Sequence, residues 1–191
     1  MENLTEHKIL NAIKYFIKNT NNVRLTKLFK LLYFLDFMYF EKHGLSITCL
    51  DYFTYPFGPV PQELYHKISN EELPEIITKE IQFIKEKGND ELSNPIYKIN
   101  LKNKKIDMSC FSFYEKEMLK QVAEIFYDAD ANAMTEASHL KNLPWDKTRI
   151  TKGMYQMIDY ELALDKDSSI DLENFKEYLI LQKELKTDGR I

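Results

Sequence analysis

Cysteine is scarce in this chain: 191 residues hold two, Cys49 and Cys110, with no short spacing between them. That excludes a disulfide-built scaffold and a zinc site of paired thiols, and a reducing cytoplasm fits best. No His-x-x-x-His, Cys-x-x-Cys or Asp-x-Asp-x-Asp-Gly spacing occurs, so no metal is expected. Histidine is equally thin. His43, His66 and His139 are scattered, no local signature pairs one with a cysteine, and no catalytic residue is assigned. The segment Met1–His7 lacks a basic start followed by an apolar stretch, so no signal peptide is expected. Long apolar runs are missing too. A membrane span needs about 20 apolar residues, and the longest candidate, 28–40, contains Lys30 and Asp36 and is bracketed by charge. Charge of one sign is also lacking: the net of −4 speaks against nucleic acid as the main partner.

What is present is apolar and aromatic, 44% and 13% of residues, enough for a sizeable core. Two stretches organise it. Leu28–Phe40 carries only two charges in thirteen positions, and a segment apolar on every side is a central core helix. Gly44 can end it in the left-handed conformation. Asp36 inside it needs a lysine or a backbone group as partner, because an unpaired buried carboxylate is expensive. The second stretch, Tyr52–Pro61, packs three prolines, one glycine and four aromatics into ten residues. It reads as a rigid, shaped loop with Tyr52–Tyr55 as a short strand, and Pro61 leads into a helix over 62–68. Gly58 is no phosphate cradle, since the neighbouring prolines lack the N–H groups one requires.

Around these stretches the pattern gives helix at 5–18, with Ile9, Ile13, Phe16 and Ile17 on one face. Ile77, Ile81 and Ile84 suggest a helix from Leu73-Pro74 closed by Gly88. Tyr97, Ile99 and Leu101 alternate with polar residues, and a hairpin is expected to return through Ile106 and Met108 after a turn at Asn103-Lys104. Its lysines read as edge protection. Ser112 and Glu115 form a capping box opening a helix to about Tyr127. A shorter helix covers 133–139 and is expected to end at Leu143-Pro144-Trp145. Further helices are expected at 155–164 and after Asp171. From Asp159 to Glu184 eight acidic residues face three lysines, either a solvated helical face or a surface for a basic partner. The fold class is mainly α within α+β, a helical domain at 1–150 with a C-terminal extension at 151–191 packed on it.

The run Lys27–Asp36, then Gly44, then Tyr55-Pro56-Phe57-Gly58-Pro59-Val60-Pro61 with Leu64-Tyr65, resembles the N-terminal signature of the Panacea domain, the SocA-like antitoxin domain also found in phage-associated proteins. Ser138-His139 followed by Pro144-Trp145 is similar to that family's second mark. The likeness spans about Leu10 to Arg149; the helix is richer in Phe and Tyr than usual, and the tail after Thr151 lies outside it. The resemblance implies a non-catalytic antitoxin without cofactor, whose partner is a cognate toxin protein. Family partners are as unlike as alarmone-synthetase-type toxins and membrane-acting peptides, and one branch delivers its toxin to an ATP-dependent protease. Operon regulation by DNA binding stays a rival. Tyr55, Phe57, Pro59, Tyr65, His139 and Trp145 are the candidate partner-binding residues, since interface anchors favour aromatic side chains; packing on their own core is the competing role. The acidic tail is a second candidate surface, and a chain stopped after Thr151 is expected to stay folded.

Overall fold

The computed structural model describes residues 4–86 and 96–164. Among these the chain forms seven α-helices and two separate antiparallel strand pairs, so the α+β class with dominant helix holds. Helix α2 (Leu25–His43) runs through the middle, packed against α1 (Leu4–Asn19), α5 (Phe113–Ile125) and α6 (Ala131–Ser138). Leu28, Leu31, Leu32 and Leu35 are wholly buried on different sides of it, as an all-round apolar helix requires. Truncating one of them to Ala would cost about 2–5 kcal/mol. Gly44 ends α2 at φ +67 and ψ 14, its N–H returning to the Phe40 carbonyl. The Ser112–Glu115 capping box opens α5 with both reciprocal bonds formed.

Asp36 is buried, and no lysine pairs with it among the described residues. Its carboxylate accepts from the backbone N–H groups of Ile47 (3.0 Å) and Thr48 (2.9 Å), from the Thr48 hydroxyl, and from the Tyr52 hydroxyl (2.8 Å). Burial raises its pKa, and the bonds from Thr48 and Tyr52 oppose that shift. The helix thereby fixes the segment leading into the first strand.

Tyr52–Pro61 is not a loop but a hairpin. Strand β1 (Tyr52–Tyr55) pairs with β2 (Gly58–Pro61) across a turn at Pro56-Phe57, with Thr54 opposite Pro59 and Tyr55 opposite Gly58. On its other edge β1 meets the chain again: Thr54 N–H donates to the Gln156 carbonyl (2.9 Å) and Ile158 N–H to the Tyr52 carbonyl (2.8 Å). Strand β2 is thus an edge, which tolerates Pro59 and Pro61 because a missing N–H there costs no ladder bond. Pro61 then stands at the N-cap of α3 (Gln62–Ser69).

Further expectations fail. The isoleucine-spaced helix is only α4 (Glu75–Glu80); Ile81–Glu86 is strand β3. Strand β4 (Ile96–Leu101) pairs backward with β3, Ile81 opposite Leu101, rather than forward with Ile106–Met108, where the chain makes one 3₁₀ turn. Pro144-Trp145 begins a helix, α7 (Pro144–Lys152), instead of ending one; proline at the first helical position has no N–H to waste. Residues 155–164 form the edge contact with β1 and a 3₁₀ turn at Tyr160–Ala163, not an α-helix. Ile158 is in the core, and the Tyr160 ring stacks on Phe37 at 4.4 Å while its hydroxyl donates to the Leu50 carbonyl. A cut after Thr151 would remove these, so the expectation that such a chain stays folded does not fit. Gly88, the helix after Asp171 and most of the acidic run lie outside the described residues.

Candidate functional site

The N-terminus of α2, the β1–β2 turn, α3, β4 and α6 enclose a cleft of about 820 Å³. Its walls are aromatic and aliphatic: Phe29, Tyr55, Phe57, Val60, Tyr65 and Tyr155 among them. Phe57 stands at the tip of the hairpin, 61% exposed, and Tyr155 is 59% exposed. The Tyr55 and Tyr155 rings meet edge-on at 5.0 Å, and Phe29 and Tyr65 at 6.1 Å. The hairpin sets Tyr55 and Phe57 because its turn is only two residues long. Arg24, at the N-cap of α2, brings a guanidinium to the mouth.

Beneath the cleft floor lies Lys30, closed off from solvent. Its Nζ donates to the Pro59 carbonyl (2.8 Å), and no carboxylate pairs with it among the described residues. Two other lysines of the interior are better served: Lys14 reaches Glu80 at 2.6 Å, and Lys27 reaches the carbonyls of Asn21 and Tyr127. With one carbonyl and no counter-charge, burial pulls the Lys30 amine down to about 7. Gly58 is what makes room for it. At φ +92, a Cβ on residue 58 would stand 2.6 Å from Ser138 Oγ and 2.7 Å from Lys30 Cε. The hairpin therefore lies directly on the lysine and on the end of α6.

His139 and Trp145 form a different feature. Their rings stack at 3.7 Å and 14°, with the Arg149 guanidinium 5.5 Å over the indole. His139 Nε2 and Trp145 Nε1 are buried without a hydrogen-bond partner among the described residues. Burial lowers the His139 pKa, Lys30 and Arg149 lower it further, and Asp146 opposes them. The ring is held neutral.

The six candidate residues thus fall into three places. Tyr55, Phe57 and Tyr65 share the cleft. Pro59 is buried, its contribution being the carbonyl that holds Lys30. His139 and Trp145 pack on each other and do not line the cleft. Sequence reasoning missed Arg24, Tyr97, Asn132, Thr135 and Tyr155, which complete the walls, and Lys30, whose position in an apolar helix was the available signal. No cluster of three or more His, Cys, Asp or Glu side chains able to hold a metal occurs among the described residues. Neither Cys49 nor Cys110 forms a disulfide among the described residues. No helix among the described residues is long and apolar enough to cross a membrane.

Fold and cleft together define a small helical domain that presents an aromatic recess. Residues 28–146 match the family described as "Antitoxin SocA-like, Panacea domain", and the chain belongs to that family. Neither the curated proteins nor the solved structures give a match.

Proposed function

We propose that this protein neutralises a cognate toxin by binding it directly, with the aromatic cleft as the contact surface. The observation that carries the reading is Phe57, a large aromatic side chain held in solvent at the tip of a hairpin that Lys30 holds from below at the Pro59 carbonyl. Rigid aromatic anchors lose little conformational freedom on binding and dominate interface energetics. Membership of an antitoxin family supplies the partner class.

The test is co-expression with the adjacent open reading frame, scoring growth and co-purifying, with wild type beside the double variant Phe57→Glu, Tyr155→Glu. Both side chains are exposed, so the fold should survive. Rescue in a stable complex by wild type, lost in the double variant, is the expected result. A complex untouched by the double variant removes the cleft from the reading. Rescue without a complex, with the neighbour disappearing only in protease-competent cells, would replace masking by delivery to an ATP-dependent protease. A gel shift on the upstream region at low salt checks the operon-regulator rival, and no shift is expected.

A further inference from the structure

Tyr155 stands in a backbone conformation that its side chain does not favour. Among the described residues, Asn22, Cys49, Glu71, Asn142 and Tyr155 have positive φ without being glycine. Asn22 and Asn142 are of the type that tolerates the left-handed region. Glu71 follows the C-cap of α3, where helices commonly end this way, and Glu72 returns its N–H to the Lys67 carbonyl. Cys49 follows the segment that Asp36 gathers, its N–H donating to the Ser46 hydroxyl. Tyr155, at φ +60, is the aromatic member of the set, and a bulky residue in that region is costly. Thr54 holds it there. This wholly buried residue of β1 donates its N–H to the Gln156 carbonyl and accepts the Tyr155 N–H at its own carbonyl. Its hydroxyl donates to the Gly153 carbonyl (2.9 Å) and accepts from the Gln156 N–H (3.0 Å). The turn at 153–156 is therefore fixed from outside, the condition under which a strained residue persists.

Nothing in that turn calls for tyrosine, since glycine or asparagine would keep the same backbone at less cost. Nor does the core call for it: the ring is exposed, lines the cleft and meets Tyr55 edge-on. We propose that Tyr155 is the recognition residue of the cleft, receiving an apolar side chain of the toxin against its ring, and that Thr54 is its positioning residue. The inference rests on the direct-binding reading and adds which side chain carries recognition and what sets it in place. The free protein gives up stability to hold the ring ready, and an anchor ordered in advance lowers the cost of ordering on binding.

Thermal unfolding of the free full chain is measured beside its affinity for the product of the adjacent reading frame. Tyr155→Gly should melt about 2–4 °C above Tyr155→Ala, because glycine escapes the left-handed penalty that alanine keeps. Both should bind about tenfold or more weakly than wild type, while Tyr155→Phe keeps the affinity. Glu71→Gly, at a left-handed position that does not line the cleft, should gain stability with affinity unchanged. Thr54→Val removes the clamping hydroxyl; it should move the Tyr155 Cα resonance away from its left-handed value and weaken binding about tenfold, and Thr54→Ser should restore both. If Tyr155→Gly melts no higher than Tyr155→Ala, no strain is stored there and the proposal falls. Affinity untouched by Tyr155→Ala, or lost equally in Glu71→Gly, also overturns it and leaves direct binding by the wild type standing. Weaker binding by Thr54→Val with the Tyr155 resonance unmoved overturns the positioning role. A wild type with no affinity for its neighbour's product strikes the functional reading itself, and the recognition role with it, whatever the melting temperatures show.

Discussion

Lys30 makes a stability forecast that runs against the usual expectation for a lysine in a helix. In the unfolded chain its amine titrates near 10.5, whereas in the folded chain burial beneath the hairpin brings it down to about 7. Between those values the unfolded chain binds a proton that the folded chain does not, so stability rises with pH across the interval. Below pH 7 both forms are charged and the cost of a buried unpaired ammonium is fully present. At 1.36 kcal/mol per unit, the whole interval is worth on the order of 5 kcal/mol. The buried tyrosines Tyr33, Tyr52 and Tyr160 have raised pKa values and act in the opposite sense only where unfolded tyrosine ionises, near pH 10. His139, the titratable group facing Lys30 from α6, is held neutral by its lowered pKa and titrates below the window. Measured between pH 7 and 9 by urea unfolding, the wild type should gain about 2–3 kcal/mol. Lys27, also lowered by burial, contributes in the same direction, so the informative quantity is the difference from Lys30→Met. Methionine has similar length, removes the charge, and gives up one hydrogen bond to Pro59 worth about 1 kcal/mol. The variant should therefore be the more stable protein at pH 6, by about 2–4 kcal/mol, with the advantage shrinking toward pH 9. A difference that stays constant with pH, or a variant weaker than wild type at pH 6, would refute the unpaired-amine account.

Three further outcomes follow from the same contacts. Asp36→Ala strands two backbone donors and two hydroxyls and should cost about 3–5 kcal/mol by chemical unfolding, while Asp36→Asn keeps an acceptor and relies on the hydroxyls to rotate, for about 1–2 kcal/mol; equal losses would mean that the charge, not the donors, matters. Gly58→Ala forces a Cβ against Ser138 and Lys30 at positive φ and should cost about 2–4 kcal/mol, whereas Gly153→Ala, at φ +95 with open space around it, should cost only the backbone strain of about 1–2 kcal/mol; a reversed order in calorimetry would contradict the hairpin's seating. A chain stopped after Thr151 loses the strand contact of 155–158 and the Tyr160 stack and should show no cooperative thermal transition, while one stopped after Leu164 keeps them. Neutralisation by the longer truncation then isolates what the acidic run contributes.

The parts legible in the sequence are those whose cause is local. An all-round apolar segment followed by glycine gives α2, and Ser112 with Glu115 gives the start of α5, because caps and burial patterns act within a few residues. The errors sit where a distant partner decides. Ile77, Ile81 and Ile84 satisfy helical spacing, but Ile81 and Phe83 equally satisfy a strand, and β4, ten residues beyond, supplies the ladder that settles it. Tyr97, Ile99 and Leu101 alternate as a strand does, but alternation reveals the face and not the neighbour, so it does not distinguish backward from forward pairing. Residues 155–164 carry aromatics at a spacing that suits a helix, yet the open edge of β1, a hundred residues earlier, takes them as an extended contact. The cleft depends on that return of the chain, which is why Tyr55, Phe57 and Tyr65 could be nominated while Tyr155 could not. Lys30 escaped because a lysine in an apolar helix can lift its amine to solvent along its own stem; only the hairpin lying across it closes that route.

Lys30 and Asp36, the two charges within Leu28–Phe40, are best understood together. They are opposite in sign and lie on the same helix, yet each turns to the hairpin instead of to the other. Asp36 gathers the segment from Ile47 to Tyr52 at the entry of β1, and Lys30 holds Pro59 near the exit of β2. Leucine contacts would keep the hairpin close to the helix but would permit it to slide; hydrogen bonds at both ends also fix its direction. Two such ties cost stability and return a fixed placement of Tyr55 and Phe57 at the cleft rim. Lys30→Met should then separate the two quantities: greater global stability at pH 6, yet faster local opening of the hairpin. Amide hydrogen exchange at Val60, the β2 residue opposite Phe53, reads that opening directly, since local and global opening have separate free energies. Faster exchange at Val60 with slower exchange along α2 is the expected pattern. Uniform slowing at both would mean that the lysine contributes nothing to the hairpin's direction, and that its burial has to be explained by something other than the placement of the cleft rim.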